Sequence, residues 1–151
     1  MKENLLKFLV KFLLASLPLF TFWFWLGADW YSVFYEKLVF VLFKVFQKDS
    51  SNFPVPTSFF NNLVPFTVLM IITPGIHYIR KIYLILFGYL IILAEHLTVA
   101  LIFYLLDFVF KVGEQTFSLI LTPLSILSGT FPFLLWLILA SEEIKSWFWK
   151  K

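Results

Sequence analysis

Apolar residues run through this chain in long blocks, and short polar stretches separate one block from the next. The longest block covers residues 82–105 and carries Glu95 and His96 side by side near its middle. An apolar run of that length crosses a bilayer as one helix. Residues 5–26 form another block, with Lys7 and Lys11 near its start and Phe22-Trp23-Phe24-Trp25 at its end. That aromatic cluster is too bulky for a signal-peptide cleavage site, so the block reads as a retained span whose lysines snorkel to the headgroups. Residues 58–78 supply a further span, softened by Pro65 and closed by Pro74-Gly75, with Arg80-Lys81 at its far end. The last span, residues 117–140, holds Pro123 and Pro132 with Ser125, Ser128, Gly129 and Thr130 between them. A kinked helix is expected there, its proline-freed carbonyls met by hydroxyls or neighbours.

Residues 29–47 pattern differently. On a helical wheel Asp29, Ser32, Glu36, Lys37, Lys44 and Gln47 gather on one side, opposite Phe34, Leu38, Val41, Leu42, Val45 and Phe46. That segregation predicts an amphipathic helix lying in the membrane interface, with a fifth crossing as the alternative. Residues 48–62, with Asp49-Ser50-Ser51-Asn52 and Pro54 and Pro56, read as a loop on an extended path. The tail, residues 141–151, mixes charges with Trp147, Phe148 and Trp149 and is expected along the headgroups.

Composition turns these segments into a class. Hydrophobic residues make up 61% of the 151 positions and charged residues 14%, where soluble domains carry about 25% charged. Mean hydropathy is +0.90. The expectation is an all-α integral membrane protein, a single domain of four transmembrane helices plus one interfacial helix. The net charge of +3 does not suggest nucleic acid, because the basic residues sit at segment ends. With four spans, Lys2, Lys7, Lys11, Arg80, Lys81, Lys145, Lys150 and Lys151 share one side, which predicts both termini cytoplasmic. Lys37, Lys44, Lys48 and Lys111 fall opposite, offset by acidic residues. A fifth span would break this arrangement. With no cysteine, disulfides, thiolate metal sites and cysteine nucleophiles are excluded.

Glu95 is the leading candidate for chemistry. A carboxylate deep in a span costs about 2.5–3.5 kcal/mol on insertion scales, so it must be protonated, paired, or turned to protein or water. It reads either as a proton-handling or ligand-binding group or, more simply, as a polar contact fastening this helix to another. Gly88, seven residues earlier on the same face, would let a second helix approach. His96 is rotated about 100° from Glu95, so the two are not expected to serve one site. As a haem ligand His96 would need a partner at its own depth. His77, the other histidine, lies near the cytoplasmic end of the second span, so only ligation shared with another subunit remains. Ser125 and Gly129 form a small-xxx-small pair suited to helix packing. Ser128 is expected to bond its own backbone, and Asn61-Asn62 to mark a helix start or interface. Phosphate-loop, metal-spacing and nucleophile-elbow motifs are missing, so no catalytic residue, metal or cofactor is assigned.

The order of parts resembles the exosortase/archaeosortase family of membrane-embedded transpeptidases and the small membrane proteins associated with them. The shared pattern is a basic N-terminal span, a proline-bearing outer segment, and a span opening with Ser58-Phe59-Phe60-Asn61-Asn62-Leu63-Val64-Pro65. A short basic turn and a long span with polar residues follow. The catalytic residues of that family do not carry over. Residues 57–62 hold no cysteine, Glu95-His96-Leu97-Thr98 stands where the family has Asn-x-x-Arg, and residues 113–117 hold no histidine. The resemblance therefore implies a non-catalytic relative or companion in a bacterial or archaeal cytoplasmic membrane.

Three functions follow as expectations. The first is a non-catalytic accessory or scaffolding subunit, embedded in the bilayer and docked against other integral membrane subunits. The second is a respiratory or transport component using Glu95 and His96 for protons, quinone or haem. The third is a degenerate sorting-enzyme relative that positions substrates without cutting them.

Overall fold

The computed structural model describes residues 2–43 and 62–148, and every element among them is helical. Lys44 to Asn61, which include most of the expected loop and the start of the second span, lie outside the described residues, as do Trp149 to Lys151. Among the described residues three helices are long and apolar enough to cross a membrane: Leu6–Leu42, Tyr78–Asp107 and Glu114–Leu139. A fourth, Leu63–Ile72, is apolar but only 10 residues long.

The first of these corrects the expected boundary between a span and an interfacial helix. α1 (Lys2–Phe22) passes through a π-helical turn (Trp23–Gly27) straight into α2 (Ala28–Phe43). The 37 residues of Leu6–Leu42 would measure about 55 Å at helical rise. Gly27 does not stop the helix, because its neighbours all keep α-region backbone. Instead it makes room for an aromatic ring. A Cβ on Gly27 would lie 2.5 Å from Cε3 of Trp23, so the indole can lie across this turn only where that atom is missing. The buried stripe of α2 also differs from the expected one. Tyr35 and Val39 are buried with Ala100, whereas Phe34 and Val41 are exposed.

α3 (Leu63–Ile72) is the described helical part of the expected second span, whose residues 58–61 lie outside the described residues. Ten residues rise about 15 Å, half of a hydrocarbon core of about 30 Å. Its length is set at the far end by Thr73, which turns to extended backbone, and by Gly75, whose φ of 85° only glycine adopts without strain. α3 is apolar all round and is buried accordingly: Leu63, Val64, Phe66, Val68, Leu69 and Met70 all lie inside. It packs against α1, α4 (Tyr78–Tyr104) and α5 (Glu114–Leu139). The three long helices thus surround a short central one and turn leucines such as Leu17, Leu90 and Leu119 outward.

α4 begins at Tyr78, so Arg80 and Lys81 belong to its first turn rather than to a link before it. A π-helical turn, Leu105–Val109, ends it, and Lys111 takes a positive φ of 48° before α5. α5 keeps Pro123 and Pro132 inside one continuous helix. α6 (Ser141–Phe148) follows it directly.

One end of the bundle is tied by polar and aromatic contacts. The Lys81 ammonium donates to the carbonyls of Ile71 and Thr73 at 2.6 and 3.1 Å, closing the C-terminus of α3. Trp136 Nε1 donates to Thr73 Oγ1 at 2.8 Å, and Arg80 pairs with Glu143 at 2.6 Å. Phe8 stacks on Trp136 with ring centroids 5.7 Å apart and leans on Trp147 at 5.2 Å. The start of α1 and the whole of α6 therefore share that end.

Gly88 and Gly129 give a paired test of this packing. A Cβ at Gly88 would fall 2.1 Å from Cζ of Phe66, while at Gly129 it would meet nothing within 4 Å. Gly88→Ala is expected to lower stability by about 1–3 kcal/mol as overpacking. Gly129→Ala should be neutral or stabilising by up to about 1 kcal/mol through helix propensity. Thermal unfolding of the two variants in detergent decides it, and equal effects would refute the close α3–α4 approach.

Candidate functional site

Six polar residues of the interior collect in one layer, reached by four segments. α2 contributes Tyr31 and Tyr35, the start of α3 contributes Asn62, α4 contributes Glu95 and His96, and α5 contributes Ser128. Glu95 stands about 21 Å along α4 from Lys81 at helical rise.

Pro132 explains one side of this layer. It lacks the N–H that would bond the carbonyl four residues back, which is that of Ser128. Asn62 supplies the missing donor: its Nδ2 donates to the Ser128 carbonyl at 2.9 Å and to Ser128 Oγ at 3.0 Å. Ser128 is buried, and its hydroxyl bonds Glu95. The expectation that this serine bonds only its own backbone is thus corrected. Other hydroxyls of α5 do behave that way, Thr122 donating to the Ser118 carbonyl and Thr130 to that of Leu127.

His96 occupies the other side. Its side chain is 1% exposed and that of Glu95 16%. His96 Nδ1 lies 2.7 Å from the Tyr31 hydroxyl, and Nε2 lies 3.5 Å from Glu95 Oε2. The expectation that Glu95 and His96 serve separate sites is therefore wrong. The 100° offset applies to their Cα–Cβ directions, whereas the three-carbon reach of glutamate brings its carboxyl back beside the adjacent imidazole. Tyr35 donates to the His96 carbonyl at 2.6 Å. Tyr31 and Tyr35 stack at 6.1 Å, and both meet the imidazole edge-on at 5.7 and 6.2 Å. Two aromatic rings thus fix the orientation of the imidazole.

Neither tyrosine stood out in the sequence, because both belong to the segment read as interfacial. The available signal was their spacing: Tyr31, Tyr35 and Val39 recur every four residues, the period of one helix face. Gly88 lies against Phe66 within the bundle. Ser125 and Gly129 face outward, away from the other helices of this chain. His77 is exposed at the start of α4, far along that helix from His96. A haem on His96 would need one ring nitrogen turned to the iron, and both are turned to protein here. Among the described residues no group of three or more His, Cys, Asp or Glu could hold a metal ion.

Comparisons with family models, curated proteins and solved structures found no match. The likeness to exosortases rests on the order of segments and lends no residue a role.

The Asn62–Ser128 contact has a direct test. Asn62→Leu leaves a buried carbonyl without a donor and is expected to cost about 1–3 kcal/mol. Adding Pro132→Ala restores the helical N–H to that carbonyl and should recover most of the loss. Unfolding midpoints of the single and double variants measure this, and a double variant no better than the single would overturn the assignment.

Proposed function

We propose that this chain is a non-catalytic accessory or scaffolding subunit that docks against other integral membrane proteins through its outer helix faces. The observation that carries the reading is on α5. Ser125 and Gly129 lie four apart on its exposed side, and a Cβ at Gly129 would meet nothing within 4 Å. Small residues at that spacing let the backbone of a second helix approach closely. No helix of this chain takes that place among the described residues.

The interior supports the same reading. Asn62, Ser128, Tyr35 and the backbone of His96 bond one another across helices, which makes them fasteners. In this proposal the three long helices cross the membrane and both termini lie at the cytoplasmic face, as the positions of the basic residues favour, so the chain crosses back between α2 and α4 and α3 forms part of that fourth passage. The contact of Glu95 with His96 at 3.5 Å favours a second reading, in which the layer handles protons for a transport or respiratory assembly. Companionship to a sorting enzyme is a special case of the first reading.

Purification from native membranes in mild detergent should return the chain with stoichiometric membrane partners. Gly129→Leu should reduce their recovery by about tenfold, the factor that 1.4 kcal/mol of lost packing produces. It should leave the melting temperature of the isolated chain unchanged. A monodisperse monomer from native membrane, or recovery indifferent to Gly129→Leu, would remove the proposed docking face.

A further inference from the structure

We infer that Glu95, His96 and Tyr31 form an intramembrane proton-binding site, in which one proton is shared between the Glu95 carboxyl and the His96 imidazole and is exchanged through the Tyr31 hydroxyl. This deepens the second, proton-handling reading above, on which it rests, and does not depend on the accessory one.

The geometry is a three-member chain. Tyr31 OH lies 2.7 Å from Nδ1, and Nε2 lies at ion-pair distance, 3.5 Å, from Glu95 Oε2, so the imidazole stands between phenol and carboxyl. Oε2 is buried with no hydrogen-bond partner among the described residues, while the Ser128 hydroxyl bonds the same carboxyl group. Among the described residues the titratable groups facing the pair are Tyr31 and Tyr35, both from α2. α5 and the start of α3 bring only neutral Ser128 and Asn62. Among the described residues no lysine or arginine is shown beside the carboxylate in this layer. A carboxylate with a neutral imidazole leaves one net negative charge in low dielectric, and one added proton removes it.

The uptake step balances. In the starting state Tyr31 donates to Nδ1, His96 carries its proton on Nε2, and Glu95 is a carboxylate. A proton arriving at the Tyr31 oxygen lets the phenolic proton pass to Nδ1, and the Nε2 proton passes to Oε2. Glu95 ends as a neutral acid, His96 in its other neutral tautomer, and Tyr31 as a phenol that now accepts from Nδ1. One proton has been gained and no other bond has changed. The tyrosine stack and the edge-on contacts hold the ring in place through this change.

The test uses the full chain in phosphatidylcholine vesicles with dicyclohexylcarbodiimide, a membrane-soluble reagent that attacks protonated carboxyls. The acid adds across a C=N bond, its proton passes to nitrogen, and the adduct rearranges to a stable N-acylurea. Nothing leaves, so the peptide gains the mass of the whole reagent. We expect one adduct, at Glu95, lost in Glu95→Gln. Its yield should fall about tenfold for each pH unit above a midpoint, as a single proton requires. Tyr31→Phe should move that midpoint while leaving helix content by circular dichroism unchanged, an effect that packing alone would not produce. An infrared carboxylic-acid band that disappears in Glu95→Gln provides a reading on the unlabelled protein. The site is refuted if Glu95 reacts only after denaturation in dodecyl sulfate, or reacts equally at every pH. A midpoint unmoved by Tyr31→Phe would refute exchange through the phenol. Because the isolated chain is used, failure here is separate from failure to find a partner subunit.

Discussion

A backbone carbonyl without a donor is costly anywhere in a protein interior, and more so inside lipid, where no water can take the donor's place. Pro132 creates such a carbonyl at Ser128, and Asn62 meets it. That contact ties the start of the described α3 to α5. The position of α3 is decided by what holds its ends. Asn62 ties the first end to α5, and Lys81 ties the last end to α4. The long helices then close around a buried apolar rod, with Phe66 seated against the bare backbone of Gly88.

The polar layer is a consequence of the same arrangement. Once Asn62 has bonded Ser128, the serine hydroxyl turns to Glu95, and the carboxyl is brought between α5 and the imidazole of His96. From the opposite side α2 delivers two tyrosines one helical turn apart, one to the ring and one to the carbonyl of His96. Hydrogen bonds between membrane helices are individually modest, about 0.6 kcal/mol on average. The strength of the layer therefore lies in joining four segments at once.

Sequence patterning was informative wherever a segment interacts chiefly with lipid. The spans around Glu95 and around Pro123 and Pro132 have nearly the extents expected, because apolar length is a property of the segment alone. It was misleading at residues 26–29, where the apolar block reads as ending. There the helix continues, with the Trp23 ring lying over Gly27 one turn later. For residues 58–78 the described part is the helix Leu63–Ile72, and residues 58–61 lie outside the described residues. Glu95 and His96 were legible as exceptional residues, because polar groups in lipid are rare. Their meeting was not legible, since residue spacing describes Cβ directions and says nothing of how a flexible carboxyl folds back. Tyr31 and Tyr35 were hidden by the boundary drawn before them.

The ammonium of Lys81 carries a further implication for biogenesis. It caps a helix that precedes it in the chain, across the tight turn at Gly75. The final carbonyls of α3 therefore gain their partner only when the following helix has been threaded into place. Without that helix the end of α3 would be left open. Residues 63–104 accordingly form one helical hairpin, in which Lys81 on the second helix is the latch that completes the first.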